Sequence, residues 1–203
     1  IKDWGQLPDT TAEKTLLVIA PGALVPHVRP SGVPTVGTDS KRGTELARFV
    51  SSGGRLLVLE QETYDGLPFG VSLGGHTSTY AFPLVRNGWL TRGLKDGDLS
   101  LWQPDHYVTE NEIVRPTGGG ARSLVVSGGD AQLSQAPLVE LRPGKGIVLF
   151  CQALVGARWA HDPAAAILLR NMVDHLTSGI PEASASPAVV VSDDPAFTDA
   201  LAR

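Results

Sequence analysis

The chain has 203 residues, of which 42% are hydrophobic and 19% charged, and these fractions are ordinary for a globular protein. Seventeen basic and 21 acidic residues give a net charge of −4, and no Lys/Arg stripe is present, so we expect no nucleic-acid partner. No apolar run approaches the ~20 residues that span a bilayer, and no Cys/His cluster has metal-site spacing, so we expect no membrane partner, metal or cofactor.

The first third of the chain predicts a strand, a loop, a helix and a second strand. LLVIA (16–20) is a continuous apolar run, typical of a strand that is covered on both faces. The Pro/Gly-rich stretch 21–37 predicts a long loop. Apolar residues at helical spacing follow from Asp39, and Gly53-Gly54 predicts the C-terminal cap of that helix. RLLVLE (55–60) is again a buried-type strand, so the order predicts a parallel crossover unit.

The middle, residues 63–120, is rich in glycine and proline and gives few clear boundaries. LSLW (99–102) and YVTENEIV (107–114) are strand candidates there. SLVVSG (123–128) predicts a strand more clearly.

A hairpin is predicted between LVEL (138–141) and GIVLFCQ (146–152). Arg142-Pro143-Gly144-Lys145 joins them, with proline and glycine at the central positions that a type II turn needs.

Asp162-Pro163 predicts the start of a helix, because aspartate caps free N–H groups and proline suits the first helical position. Gly179 is expected to end it. The predicted buried stripe consists of five residues: Ile167, Leu168, Met172, Val173 and Leu176.

We divide the chain into a lead-in segment 1–14, an α/β domain 15–180 and a segment 181–203. The last segment has linker composition and then a short strand-helix pattern, which either completes the sheet or begins a truncated second domain. The chain starts at Ile1 without a signal-type segment, so we expect it to be a piece of a longer protein, with its localisation left open.

Three stretches in this order resemble the class I glutamine amidotransferase-like superfamily: LLVIAPGAL, LARFVSSGGRLLVLEQ and RPGKGIVLFCQALV. The resemblance implies a flavodoxin-like, mainly parallel sheet with helices on both faces and a late β-hairpin. GRLLVLEQE, NGWLTRGLKDGDLSLW and APLVELRPGKGIVLFCQ are similar to non-catalytic members of that superfamily. These are the accessory and trimerisation domains of beta-galactosidases and of family 2 glycoside-hydrolase-like proteins.

By this resemblance, Pro21-Gly22 corresponds to the oxyanion loop and Glu60-Gln61 to the position of the nucleophile. No cysteine stands there, and the sole cysteine, Cys151, lies on the strand where the family carries its histidine. Cys151 has apolar neighbours, so we interpret it as a core residue. The resemblance therefore implies a non-catalytic accessory domain, with other domains of the same polypeptide, a second copy or carbohydrate as partners.

A hydrolase in its own right is the alternative. Glu60, Gln61 and Glu62 follow a predicted parallel strand, where ligand sites of α/β proteins cluster. His76 lies in a glycine-rich loop and Asp105 precedes a histidine, so Glu60, His76 and Asp105 are the candidate catalytic residues of this alternative.

The ligand-binding candidates add Trp102, whose ring could stack on a sugar, and Gln152, which follows the cysteine. His27 and Arg29 are candidates for contact with an acidic ligand. A small-ligand module is a third class, and TGGGAR (117–122) and SGGD (127–130) lack the following helix that a phosphate-binding loop needs.

Overall fold

The computed structural model describes residues 12–24, 40–85, 88–118, 120–128, 133–178 and 189–191. A short 3-10 turn at Ala12–Lys14 precedes the first strand. The elements in chain order are β1 (Leu16–Ile19), α1 (Ser40–Ser51), β2 (Arg55–Val58), β3 (Phe82–Pro83), β4 (Ile113–Val114), β5 (Arg122–Ser127), β6 (Gln135–Leu141), β7 (Ile147–Cys151), α2 (Val155–Arg158), α3 (Pro163–Thr177) and β8 (Val189–Val191).

The strands form one mixed sheet in the order β3-β5-β6-β7-β2-β1-β8, with β4 paired to β6. Pairing is parallel from β7 through β2 and β1 to β8. It is antiparallel from β7 through β6 and β5 to β3, and between β4 and β6. The protein is thus an α/β structure with a mixed sheet, which is parallel in one half and antiparallel in the other.

The crossover unit predicted at the start of the chain is confirmed. β1, α1 and β2 follow one another, and β1 pairs with β2 in parallel. α1 ends where predicted: Gly53 has a φ of +111°, its N–H bonds the carbonyl of Val50, and the N–H of Gly54 bonds the carbonyl of Phe49. This pair of hydrogen bonds is the Schellman ending that a glycine after the last turn favours.

The predicted hairpin is confirmed as β6-β7, but its turn lies one residue later than expected. The N–H of Gly146 bonds the carbonyl of Pro143, so Gly144 occupies the first central position, with a φ of +63°. A Cβ on Gly144 would lie 2.6 Å from the carbonyl oxygen of Ser51. The turn therefore packs closely against the end of α1, and this contact favours glycine there.

Helices lie on both faces of the sheet. Leu16 and its neighbour Leu17 enter different cores, because side chains alternate along a strand. α3 packs on the core that contains Leu16, through residues such as Met172. α1 packs on the core that contains Leu17, through residues such as Val50.

α3 begins as predicted. Asp162 accepts a hydrogen bond from the N–H of Ala164 at 2.9 Å, and Pro163 takes the first helical position. In the predicted stripe, Ile167 and Val173 are only half-buried. The buried positions are Ala165, Leu168, Leu169, Asn171, Met172 and Leu176. Gly179, which we expected to end the helix, lies outside the described residues.

The middle of the chain forms less strand than predicted. Of 107–114, only Ile113 and Val114 form a strand, and 99–102 takes part only through isolated bridges at Ser100 and Trp102. The strand predicted at 123–128 is confirmed as β5, and 189–191 forms β8 beside β1.

Candidate functional site

Glu60 lies two residues beyond the end of β2, at the carboxyl edge of the parallel strands, and is 8% exposed. Its Oε1 accepts hydrogen bonds from the backbone N–H groups of Gly156 at 2.7 Å and Ala157 at 3.1 Å. These N–H groups belong to the first turn of α2, where they have no partner within their own helix. The carboxylate thus ties the end of β2 to the start of α2.

Burial dominates the ionisation of Glu60. Removal from water raises the pKa of Glu60 from 4.5 to about 7, against the lowering effect of backbone N–H groups and of the positive charge of Arg158. The second oxygen, Oε2, is buried and has no hydrogen-bond partner in the described part of the chain. Glu60 is therefore a carboxyl group that exchanges its proton near neutral pH.

Both polar atoms of the Gln61 side chain bind backbone groups. Its Nε2 donates to the carbonyls of Ala20 at 2.6 Å and Leu59 at 2.9 Å, and its Oε1 accepts from the N–H of Leu24 at 2.7 Å. Its own N–H donates to Oε1 of Gln152 at 3.1 Å, and Nε2 of Gln152 donates to the Gln61 carbonyl at 2.9 Å. The two glutamines lock β2, β7 and the loop after β1 together.

In the loop that the resemblance assigns to oxyanion binding, the backbone N–H of Gly22 already has a hydrogen-bond partner. The N–H of Gly22 donates to the Glu60 carbonyl at 2.8 Å. A Cβ on Gly156 would lie 2.3 Å from Cγ of Pro21 and 3.0 Å from Oε2 of Glu60, so α2 packs directly on this turn. The N–H of Gly22 is therefore bound to the neighbouring loop and is not directed at an open site.

Cys151 is buried in the core, as expected from its apolar neighbours. Its Sγ donates weakly to the carbonyl of Ala153 at 3.6 Å. Burial and the nearby charge of Glu60 raise the pKa of the thiol well above its usual value. Tyr64, whose ring meets Phe150 edge-on at 5.0 Å, likewise has its pKa raised by burial. A protonated, inaccessible thiol is not a nucleophile.

His76 is paired with a carboxylate that we did not anticipate. Its Nδ1 lies 2.6 Å from Oε2 of Glu112, which is fully buried, while the side chain of His76 is 35% exposed. The other oxygen of Glu112 accepts hydrogen bonds from the hydroxyls of Thr109 at 2.7 Å and Ser127 at 2.5 Å. His76 is thus held in one orientation, with part of its ring open to solvent.

The three candidates of the hydrolase alternative have separate partners. Asp105 binds Arg158 at 2.5 Å and accepts a bond from the N–H of Tyr107 at 3.3 Å. Within the described residues, no hydrogen bond joins any two of Glu60, His76 and Asp105. Glu60 and Asp105 both bind α2, Glu60 through backbone N–H groups and Asp105 through the side chain of Arg158, whereas His76 binds Glu112.

Trp102 is 1% exposed and belongs to the hydrophobic core. Its Nε1 donates to the carbonyl of Asp98 at 2.7 Å, which satisfies the polar end of a buried indole. A ring in this position has no free face on which a sugar can stack. His27 and Arg29 lie outside the described residues.

Exposed apolar side chains gather around β3, at one edge of the sheet. We define the β3 rim as Tyr80, Phe82, Leu84 and Val85, all of them exposed. Leu101 and Tyr107 are also exposed. The N–H of Leu101 donates to the carbonyl of Thr79, and the N–H of Val108, next to Tyr107, donates to the carbonyl of Ser78. A groove of about 570 Å³ runs beside the rim, between residues 80–83 and 91–100.

The described ranges contain neither a metal-binding cluster nor a membrane-spanning helix. No group of three or more His, Cys, Asp or Glu side chains there is arranged to hold a metal ion. No helix in the same ranges combines the length and apolar character needed to cross a bilayer.

The sequence pointed to Glu60 and Gln61 but not to what they bind. The partners of Glu60 are backbone N–H groups, which carry no side-chain signal, and Glu112 lay within a segment interpreted as a strand. VTENEIV places four polar residues in a row between Val108 and Ile113, so no local pattern in the sequence marks Glu112 as buried.

No family model matches the chain, and no curated protein sequence matches it significantly. Among solved structures, it is similar to the cold-adapted beta-galactosidase from Rahnella sp. R3, with 15% identity and a TM-score of 0.45 over 82% of this chain and 23% of that one. A beta-galactosidase from Bacillus circulans sp. alkalophilus gives 16% identity and a TM-score of 0.38 over 78% and 22% of the two chains.

The exo-beta-1,4-mannosidase Op5Man5 from Opitutaceae bacterium strain TAV5 gives 15% identity and a TM-score of 0.37 over 66% of this chain and 22% of that one. The chain thus spans less than a quarter of each of these three glycosidases.

Proposed function

We propose that this chain is a non-catalytic accessory domain of a larger glycoside-hydrolase-like protein, acting through contact rather than through chemistry. The identity of the parent rests on the sequence resemblance in stretches such as GRLLVLEQE and APLVELRPGKGIVLFCQ. The amidotransferase-like, flavodoxin-like ancestry rests on the same resemblance and is part of the proposal.

One observation carries the proposal: the polar groups at the strand ends bind other parts of the protein. The side chains of Gln61 and Gln152 bind backbone groups in the segments that directly follow β1 and β2. The Oε1 of Glu60 is used on α2, and the N–H of Gly22 on the Glu60 carbonyl. A catalytic site needs donors and acceptors directed at substrate, whereas these are directed at the protein itself.

The β3 rim supports a contact function. Large apolar side chains grouped at a sheet edge cost free energy when they face water and favour a partner that covers them. Other domains of the same polypeptide, or a second copy of the chain, would serve as such a partner.

The test is a search for turnover by the 203-residue chain. We expect no release of nitrophenol from p-nitrophenyl glycosides or p-nitrophenyl acetate, and no ammonia from glutamine, above the rate of buffer. Each assay is repeated with Glu60→Gln and His76→Asn. Turnover by the parent chain that either substitution removes would overturn the proposal.

A hydrolase centred on His76 is the second candidate. It is favoured by one observation, the partly open imidazole oriented by the buried Glu112, which is how a general base is commonly held. Loss of turnover in His76→Asn but not in Glu60→Gln or Asp105→Asn would support this function and reduce the predicted three-residue site to one residue.

A further inference from the structure

The β3 rim presents a row of half-exposed side chains along an extended segment. Tyr80, Phe82 and Leu84 are 49%, 50% and 47% exposed, whereas Ala81 between the first two is buried. Alternate residues of an extended segment point to the same side, and each residue adds about 3.4 Å, so the row is roughly 14 Å long. The rim is therefore a continuous apolar strip and not an isolated exposed side chain.

The backbone of this strip is already bonded. The N–H of Ala81 donates to the Leu99 carbonyl at 2.8 Å, and the N–H of Leu84 donates to the Leu124 carbonyl at 2.9 Å. β3 pairs with β5 on one side, and Pro83 has no N–H to donate on the other. Since proline at a sheet edge blocks the addition of a strand, a partner contacts the strip through side chains.

The groove beside the rim, of about 570 Å³, is lined mainly by carbon. The apolar residues of its lining are Tyr80, Ala81, Phe82, Pro83, Leu94 and Leu99. The Ser100 hydroxyl donates to the Gly97 carbonyl, and Asp96 already has a partner within the protein. The hydroxyl oxygen of Thr91 is buried and does not reach the surface. The groove thus suits apolar anchor side chains, which pockets in protein interfaces commonly hold.

Cations lie at both ends of the strip. Lys95 lines the groove beside Tyr80, and Arg122 lies on β5, two residues from the Leu124 that bonds Leu84. Both side chains are exposed. Among the described residues, no hydrogen bond or ion pair involves the Lys95 ammonium or the Arg122 guanidinium. These two charges are available to carboxylates of a partner.

The carboxylates that follow Lys95 in the chain are already in use. Asp96 has a partner, and Oδ2 of Asp98 accepts the N–H of Lys95 at 2.7 Å. Two copies of the strip laid against each other would place Lys95 opposite Lys95 or opposite Arg122, according to their direction. Like charges disfavour both arrangements. The charges therefore favour an acidic partner over a second copy.

We infer that the β3 rim and its groove bind a protein segment in which carboxylates flank large apolar side chains, carried by another domain of the parent polypeptide. The apolar side chains cover the strip and enter the groove, which removes half-exposed rings from water and supplies the affinity. The carboxylates pair with Lys95 and Arg122 and determine the choice of partner. This inference deepens the proposed contact function and rests on it, since it names the chemistry of the covering surface.

Three synthetic nonapeptides serve as probes for the ¹⁵N-labelled 203-residue chain. Ac-EELFELLEE-NH₂ carries apolar side chains between glutamates, Ac-KKLFKLLKK-NH₂ reverses its charge, and Ac-EESSESSEE-NH₂ lacks its apolar side chains. We expect the first peptide to shift the amide signals of residues 80–85 and 94–100, and about 0.5 M salt to weaken this binding. The lysine peptide should bind about tenfold more weakly, and the serine peptide should shift no signals at the same concentration.

Substitutions test the charged and the apolar contacts separately. Lys95→Glu keeps the fold, because its side chain is exposed and its bonded group is the backbone N–H. It should weaken the acidic peptide about tenfold and strengthen the lysine peptide by a similar factor. Phe82→Ser should weaken the acidic peptide about tenfold through loss of one covered ring. Lys145→Glu is the matched control, since Lys145 is exposed and lies outside the groove lining, and it should change neither affinity.

The inference is overturned if the acidic peptide does not shift these signals, or if Lys95→Glu leaves the preference between the two charged peptides unchanged. Sedimentation of the free chain is measured as well. A dimer that Phe82→Ser dissociates would mean that a second copy covers the rim, which also overturns the inference. None of these results removes the non-catalytic contact function, because that function is tested by turnover, which these measurements do not involve.

Discussion

Glu60 couples the stability of the fold to pH near neutrality. Its pKa is raised by burial to about 7, against an ordinary value of 4.5, so the folded state holds a proton that the unfolded state has already released between these values. A raised carboxyl pKa gives stability that is complete below pH 4.5 and is lost as the pH rises to about 7. Above that pH, Glu60 is a buried anion with one unpaired oxygen.

We therefore predict that Glu60→Gln flattens the pH dependence of unfolding between pH 4.5 and 7. The amide can keep the bonds to α2, since its oxygen accepts as the carboxylate does. Above pH 7 the variant should be more stable than the parent chain by up to about 3 kcal/mol, following the size of the pKa shift. Urea unfolding at several pH values measures this difference.

Glu62→Gln provides the control, because Glu62 is exposed and stands two residues away on the same loop. It should leave the pH profile of the parent chain unchanged. A Glu60→Gln profile parallel to that of the parent chain from pH 4.5 to 7 would show that Glu60 does not titrate in this range.

At the residue scale, the sequence indicated the position of Glu60 but not its raised pKa. The position of Glu60 after an apolar run indicated the edge of a parallel sheet. Its pKa depends on α2, which lies about a hundred positions later in the chain and packs over it. Such burial follows from tertiary packing, which the local pattern does not contain.

At the scale of elements, α3 is held to the antiparallel half of the sheet by a polar contact. Oε2 of Glu140 on β6 lies 3.0 Å from Nε2 of His175 on α3. The His175 ring stacks on Trp89, with 3.8 Å between the ring centroids. Asn171 adds two bonds of 2.9 Å from α3 to the carbonyls of Leu90 and Arg92. The helix thus bridges β6 and the segment after β3.

The ionisation of Glu140 makes this contact sensitive to acid. The hydrogen bond from His175 lowers the pKa of Glu140 from 4.5 to about 2, with a further contribution from Arg142, and together they outweigh the effect of burial. A lowered pKa gives stability that is present above pH 4.5 and is lost as the pH falls to about 2. We predict that Glu140→Gln destabilises the chain at pH 7 by about 3 kcal/mol and by much less at pH 2.

Glu45→Gln is the matched control for that measurement, because Glu45 is an exposed carboxylate on α1. It should change the unfolding free energy by less than about 0.5 kcal/mol at either pH, as surface substitutions do. An equal loss of stability at pH 7 and pH 2 in Glu140→Gln would mean that the side chain acts through packing rather than charge.

Elements were predictable where local chemistry defines their ends. The double glycine after α1 and the Asp-Pro before α3 act on neighbouring N–H and C=O groups, so the sequence carries the whole signal. The segment 63–120 differs because its order comes from isolated bridges between distant positions, such as Ser78 with Thr109 and Thr109 with Ala153. Pairing of that kind has no local pattern, and so the strands expected there were overestimated.

At the scale of the whole molecule, β7 is the strand where the two halves of the sheet meet. It pairs in parallel with β2 on one side and antiparallel with β6 on the other. The sequence predicted β2 within the crossover unit and β6-β7 as a hairpin, but not that β7 pairs with β2 and so joins the two. Cys151 closes this central strand and is fully buried.

This position makes the thiol a reporter of global unfolding. Opening Cys151 to solvent requires separation of β7 from β2 or β6, and the Gln61–Gln152 bonds reinforce the first of these pairs. We predict that a thiol reagent labels Cys151 only through the unfolded state. The labelling rate should then rise with urea with the same dependence as the equilibrium unfolding transition.

The comparison is Leu133→Cys in a Cys151→Ala background, which places a thiol at an exposed site. This variant should react within the mixing time of the experiment in native buffer, at a rate that is independent of urea. Rapid native labelling of Cys151 itself would mean that the carboxyl edge of the parallel strands opens without unfolding. In that event the strand-end groups would be accessible to a ligand, and the contact function proposed for this chain would lose the observation that carries it.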